Sequence, residues 1–170
     1  MMMSASLQKA QGTTNSGYTI LKGLPSVGEE LCHRLQFDGS ADPNPGFCTS
    51  GAVVYAPSSS TIIFECGDVC QHGTNNQAEY TGLKLGLFHA KEFGIQRLLI
   101  EGDSELLVRQ ILGVYKVKHE GLKLLYKEVM DLIRLFEFVA IRHVYREFNT
   151  YADGITKQLH VTKKAYLKTT

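Results

Sequence analysis

Four carboxylates stand where the chain changes from one predicted element to the next: Asp38, Glu79, Asp103 and Asp153. Asp38 closes a first strand, "HRLQF". Glu79 lies one turn into a helix that opens at "NNQAEY". Asp103 follows the apolar run "RLLIEG", and Asp153 comes early in a last helix. If the first and fourth predicted strands are neighbours, Asp38 and Asp103 come close and the two helical acids converge from the sides. Acids gathered in this way repel unless protons or cations neutralise them. Mg²⁺ is the natural cation for such a set, being hard, oxygen-liganded and inclined to share phosphate ligands; Mn²⁺ is the alternative. Two ions about 4 Å apart can activate a water and stabilise the leaving oxygen of a phosphodiester.

Each acid also has a local explanation. Asn76-Gln77-Ala78-Glu79 matches a capping box in which Glu79 reaches back to an amide. Asp103 or Ser104 can cap the helix that follows. Asp38-Gly39 is a common turn pair, and Asp153 suits a helix N-terminus. The spacing alone leaves both readings open.

The elements that would position these acids follow from the periodicity. "HRLQFDGS", "TSGAVVYA" and "TIIFECGDV" read as three strands joined by turns. "NQAEYTGLKLGLFHAKEFG" reads as a helix with Ala78, Leu83, Leu85, Leu87, Phe88 and Ala90 on one stripe, ended by Gly94. A buried strand "RLLIEGD", helices "SELLVRQILG" and "GLKLLYKEVMDLIRLF", a strand "FVAIRHVYR" and a helix "NTYADGITKQLH" complete the order. Asn149 is the expected N-cap of that last helix. The order β-β-β-α-β-α-α-β-α predicts an α/β fold: a mixed five-stranded sheet, three strands antiparallel and two parallel, with helices on both faces. Residues 1–34 are expected to be a loosely ordered leader or linker, residues 35–160 the catalytic domain, and residues 161–170 a basic tail.

The 170 residues suffice for one domain with its own core. The net charge of +1 hides an asymmetry: 6 Lys/Arg against 10 Asp/Glu up to residue 104, then 12 against 7. An acidic half joined to a basic half suits a site for metal and phosphate. No apolar run approaches the roughly 20 residues a membrane span needs, and the first residues lack the h-region of a secretory peptide. Cys32, Cys48, Cys66 and Cys70 follow no zinc spacing. Reduced thiols in a cytoplasmic or nuclear setting are expected.

"FDGSADPNPGFCTSGAVVY", "TNNQAEYTGLKLGL", "EGDSELLVRQILGVYKVK" and "VYREFNTYADGITKQL" resemble, in order, the four blocks of type 1 ribonuclease H. The likeness runs from about Leu35 to Leu159 and is to the compact archaeal, bacterial and plant-like branch. It implies cleavage of the RNA strand of an RNA/DNA hybrid by two ions held on Asp38, Glu79, Asp103 and Asp153, leaving 3′-hydroxyl and 5′-phosphate ends. It also implies that Asn44 and Thr74 grip a DNA phosphate while Asn75 and Asn76 approach the minor groove; Gln77, a short polar side chain beside them, is a further candidate there. A monomer is expected, with a larger parent polypeptide or a partner domain left open. Lys116 and Lys118 are further phosphate candidates.

Three departures stand out. The flexible His-bearing loop of many members is short here; His143 falls inside a predicted strand, and Arg146 lies nearer the loop's place. The basic handle of some members is missing. His72 stands where some members carry a phosphate-gripping Arg. Two rival readings remain: a catalytically idle hybrid-binding or interaction module, and another nuclease on the same fold, such as a junction resolvase.

Overall fold

Successive side chains of a strand point to opposite faces, so each strand offers one side chain in two to a given face. In the computed structural model, which describes residues 12–14 and 16–170, seven strands use this alternation to carry a core on both faces of one sheet. The strands are β1 (Thr19–Lys22), β2 (His33–Asp42), β3 (Gly46–Tyr55), β4 (Ile62–Gly73), β5 (Arg97–Gly102), β6 (Phe138–His143) and β7 (Tyr166–Thr169). Their order is β1-β6-β5-β2-β3-β4-β7. The β2–β5 and β5–β6 pairs are parallel; the other four are antiparallel. The expected five-stranded sheet is therefore corrected to seven. The two additions are short terminal strands, in segments read as leader and tail because four residues are too few to establish a period. The expectation for residues 1–11 lies outside the described residues.

One face packs against three helices: α1 (Asn75–Glu92), α2 (Glu105–Ile111) and α3 (Glu120–Ile133). Leu35 and Phe37 of β2, Ala52 and Val54 of β3 and Leu98 and Ile100 of β5 meet Leu83 and Leu87 of α1 and Val129 and Ile133 of α3 there. On the other face, Val53 and Tyr55 pack against Ile155 and Leu159 of α4 (Thr150–Thr162). A smaller cluster of Tyr18, Ile20, Cys32, Leu99, Phe138 and Ala140 seats the N-terminal segment on that same side.

Helix α1 meets the sheet through Leu83, Leu87 and Ala90 of the expected stripe and, more closely, through Gly82 and Gly86, which the stripe did not include. Phe88 is exposed and Leu85 only partly buried, while Ala78, Gly82 and Gly86, four apart, face inward. A Cβ on Gly82 would lie 2.5 Å from the Asp38 carbonyl oxygen, and one on Gly86 2.8 Å from a Leu35 methyl. At Gly39 the helix backbone around Ala78 and Glu79 fills the space a side chain would take. Helix and strand therefore touch backbone to backbone beside two of the predicted acids.

The N-terminal segment is also held by a buried charge. Glu101 accepts hydrogen bonds from Tyr18 Oη (2.5 Å), Gln36 Nε2 (2.8 Å), Arg34 Nη1 (3.2 Å) and Arg142 Nη2 (2.6 Å). Burial alone would raise the Glu101 pKa; the bonds from Tyr18, Gln36 and Arg142 outweigh it and hold the carboxyl below its ordinary value. Arg142 also lies over the Tyr18 ring, 4.3 Å from its centroid.

Candidate active site

The site is built at the end of a ladder. The parallel β2–β5 pairing stops at Phe37 opposite Gly102, so the next residues, Asp38 and Asp103, emerge side by side. Asp38 does not end its strand, as expected from the Asp-Gly turn pair. β2 runs on to Asp42 because its antiparallel partner β3 keeps pairing past this point. Asp38 is instead the first β2 residue beyond the reach of β5.

Glu79 arrives from α1. The helix begins with Thr74, whose Oγ1 accepts from the Gln77 amide (3.1 Å) while Gln77 Oε1 accepts from the Thr74 amide (2.8 Å). That reciprocal pair is the capping box, two residues earlier than the Asn76–Glu79 box expected from sequence. Glu79 is thereby free of capping, and the contact of Gly39 with the helix backbone sets it beside Asp38. Ligand oxygens of Asp38, Glu79 and Asp103 all lie within 4.8 Å of one another.

The electrostatics follow from burial and mutual repulsion, which Arg146 offsets only in part. Desolvation, then the Asp103 charge, pushes Asp38 up to about 7. Desolvation, then the Asp38 and Asp103 charges, pushes Glu79 up to about 8, opposed by Arg146. Protons or a cation must settle such a group. Three hard oxygen donors with no basic side chain among them fit a Mg²⁺-type ion.

Asp153 stands at the edge of this group. It is not one of the three acids drawn within 4.8 Å. Its carboxylate lies 2.8 Å from Lys157 Nζ one turn along α4, yet it is near enough to Asp38 to help raise its pKa.

Sequence reasoning missed what Asn149 does. It occupies the N-cap position of α4 as expected, but its side chain makes no capping bond. Fully buried, its Nδ2 donates to the Phe37 carbonyl (3.0 Å) and to Asp103 Oδ2 (3.2 Å). Asn149 thus ties α4 to the end of the β2–β5 ladder and orients one of the acids. Only the run "FNTYAD", with a polar residue four before Asp153, hinted at it. His143 ends β6 half-buried, with Nε2 3.3 Å from the Asp103 carbonyl oxygen.

The predicted substrate residues divide. Asn44, Thr74, Asn75 and Asn76 line one open groove of about 550 Å³ together with Lys116, Lys118 and His119. Asn44 Oδ1 accepts from the Asn75 amide (3.0 Å), and Asn75 Oδ1 accepts from the Ala41 amide (2.7 Å), so each side chain fixes the loop through its oxygen and keeps its NH₂ group to offer. Gln77 is turned inward: its oxygen is taken by Thr74, and its nitrogen donates to the Gly121 carbonyl (3.4 Å). His72 is exposed on β4, outside this groove.

A mixed sheet flanked by helices on both faces, with clustered acids at the end of its central parallel pair, defines a ribonuclease H-like domain. Comparison with known proteins agrees. Residues 36–158 match the family model described as reverse transcriptase-like. The bifunctional protein Rv2228c of Mycobacterium tuberculosis is 39% identical over 121 residues, 71% of this chain and 33% of that protein. Its N-terminal RNase H domain, solved as a fusion with maltose-binding protein, superposes with a TM-score of 0.75 at 35% identity, covering 78% of this chain and 95% of that one. RNase H1 from Halobacterium salinarum gives a TM-score of 0.74 at 31% identity, covering 76% of this chain and 98% of that one. LC11-RNase H1, solved in complex with an RNA/DNA hybrid, gives 0.70 at 30% identity, over 74% and 94% of the two chains. The chain belongs to the type 1 ribonuclease H family. It spans about a third of the length of the first curated relatives it matches.

Proposed function

We propose that residues 35–160 form an endoribonuclease that cleaves the RNA strand of RNA/DNA hybrids, with Asp38, Glu79, Asp103 and Asp153 holding two Mg²⁺ ions. Mn²⁺ is an alternative ion. The observation that carries the reading is the meeting of Asp38 on β2, Glu79 on α1 and Asp103 just past β5 within 4.8 Å. When bound, such ions activate the attacking water and stabilise the leaving oxygen of the phosphodiester.

The residues of the chain have separable tasks. Asp38 and Asp103, adjacent across the ladder end, form the shared floor of the site. Glu79 overhangs it from α1. Asp153 completes the set from α4 by leaving Lys157. Asn149 keeps the Asp103 carboxylate turned toward Asp38. Asn44 and Thr74 grip a DNA phosphate, and Asn75 and Asn76, lining the same groove, approach the minor groove, where short polar groups can tell a strand with 2′-hydroxyls from one without. Lys116 and Lys118 supply phosphate contacts on the same groove. Gln77 serves this surface indirectly, by fixing the start of α1. The same reading takes the chain as a monomer and places it in a cytoplasmic or nuclear setting, which its four free cysteines suit. A longer parent protein is supported by the much greater length of the curated relatives.

The test is incubation with end-labelled RNA/DNA hybrid and Mg²⁺ or Mn²⁺. Cuts confined to the RNA strand, leaving 5′-phosphates, are expected. Hybrid bound but left intact at high enzyme would favour the idle module, and cleavage of branched DNA alone would favour a resolvase.

A further inference from the structure

A second groove lies on the α4 side of the sheet, against the back of the acid cluster. It has a volume of about 500 Å³ and is walled by Arg34, Arg142, His143, Tyr145 and Phe148, with Glu101 at its base. Its contents are unusual for bare surface. The Tyr145 and Phe148 rings are 68% and 67% exposed and stand three residues apart across the turn that leads into α4. Tyr145 is braced edge-on by His143, ring centroids 5.6 Å apart. Two guanidiniums share the single Glu101 carboxylate, which leaves the groove net positive. Among the described residues, Arg34 makes one hydrogen bond, through Nη1, so its remaining N–H groups are available.

The groove is mechanically part of the acid site. The Phe148 carbonyl accepts from Gln36 Nε2 (3.0 Å), the next residue is Asn149, and His143 touches the Asp103 carbonyl. Exposed aromatic faces beside the unsaturated guanidinium of Arg34 suit one chemistry, a base stacked on a ring with its phosphate on an arginine. A paired base inside a duplex is stacked on both faces and has none free to give.

The geometry points to this groove as a subsite for an unpaired nucleotide of a single-stranded extension flanking the hybrid. The inference rests on the ribonuclease reading for the position of the hybrid. Tyr145 and Phe148 supply the stacking platform, and Arg34 takes the phosphate. The protein therefore grips junctions between hybrid and single strand more tightly than blunt hybrid.

The test is fluorescence anisotropy with the full chain carrying Asp103→Asn, so that no strand is cut. The probes are a blunt RNA/DNA hybrid and four hybrids with a short overhang on the 5′ or 3′ end of the RNA or the DNA. At least one overhang is expected to tighten binding about tenfold, the scale of one stacked base; which one tells the strand that enters. Tyr145→Ala with Phe148→Ala is expected to return the overhang-to-blunt ratio to one, with an unchanged melting temperature as the check on folding. Equal affinity for all five probes, or a ratio that survives the double substitution, overturns the inference. Because cleavage is not the readout, failure of the ribonuclease reading appears separately, as hybrid left intact by the native chain.

Discussion

Asp38 is a buried carboxyl and Glu79 a half-buried one, and the fold favours the protonated form of each. Their pKa values rise from ordinary values of 3.8 and 4.5 to about 7 and about 8, chiefly through desolvation. The sign follows directly. A group with a raised folded pKa binds its proton more tightly when folded, so the metal-free fold loses stability as pH climbs from about 4 toward 8. Asp38→Asn, which removes that charge, should raise the melting temperature of the metal-free protein at pH 8 and do little at pH 5. Mg²⁺ should mimic it, stabilising the native chain more at pH 8 than at pH 5. Equal shifts at both pH values would count against a cation-neutralised cluster. At this scale the acids were legible because their types and spacing are chemical. Asn149 was legible only in part: its N-cap place could be read, but the Asp103 carboxylate that its side chain chooses over a cap is 46 residues away.

Between elements, the site depends on how closely α1 approaches β2. Gly39 touches the helix backbone at Ala78 and Glu79, and Gly82 touches the strand carbonyl at Asp38. Gly39→Val should cost about 1–3 kcal/mol or more, as overpacking does, and should cost activity as well by prising Glu79 from Asp38. Gly154→Ala is the contrast. That glycine sits inside α4 with open space around it, so urea unfolding should show a gain of about 0.5–1 kcal/mol. Similar losses in both variants would mean that Gly39 is no special contact. The helix itself could be read from its period, yet its inward face only in part. Of the expected stripe, Ala78, Leu83, Leu87 and Ala90 are buried but Phe88 is exposed, and the stripe left out Gly82 and Gly86, which make the closest approach to the sheet. The capping box was displaced for a related reason: two overlapping Thr/Asn-to-Gln/Glu spacings occur in "TNNQAE", and the one that forms is that whose side chains are not claimed by the acid cluster.

Across the whole molecule, the chain ends finish the sheet. β1 pairs with β6 and β7 with β4, so both outer positions are filled by four-residue strands. The central five strands were readable because they are longer and strongly patterned; the terminal strands are specified by partners far away in sequence. Tyr18 is the fastening on the β1 side. Tyr18→Phe should cost about 1.5–3 kcal/mol, the range for a hydrogen bond to a charged group, measured by chemical denaturation. Hydrogen exchange should rise first in residues 19–22. A loss spread evenly over all strands would mean that Glu101 braces the core rather than the segment.

β1 and β7 lie at opposite flanks of the sheet, six strand spacings or roughly 29 Å apart. Tension applied through them acts across the strands, along the direction of the ladder hydrogen bonds. Such a load opens those bonds in succession instead of shearing them together. A molecule pulled by its two ends would shed its outermost strands at low force, and the N-terminal pull would then pass directly to β2, the next strand along the chain and the one that carries Asp38.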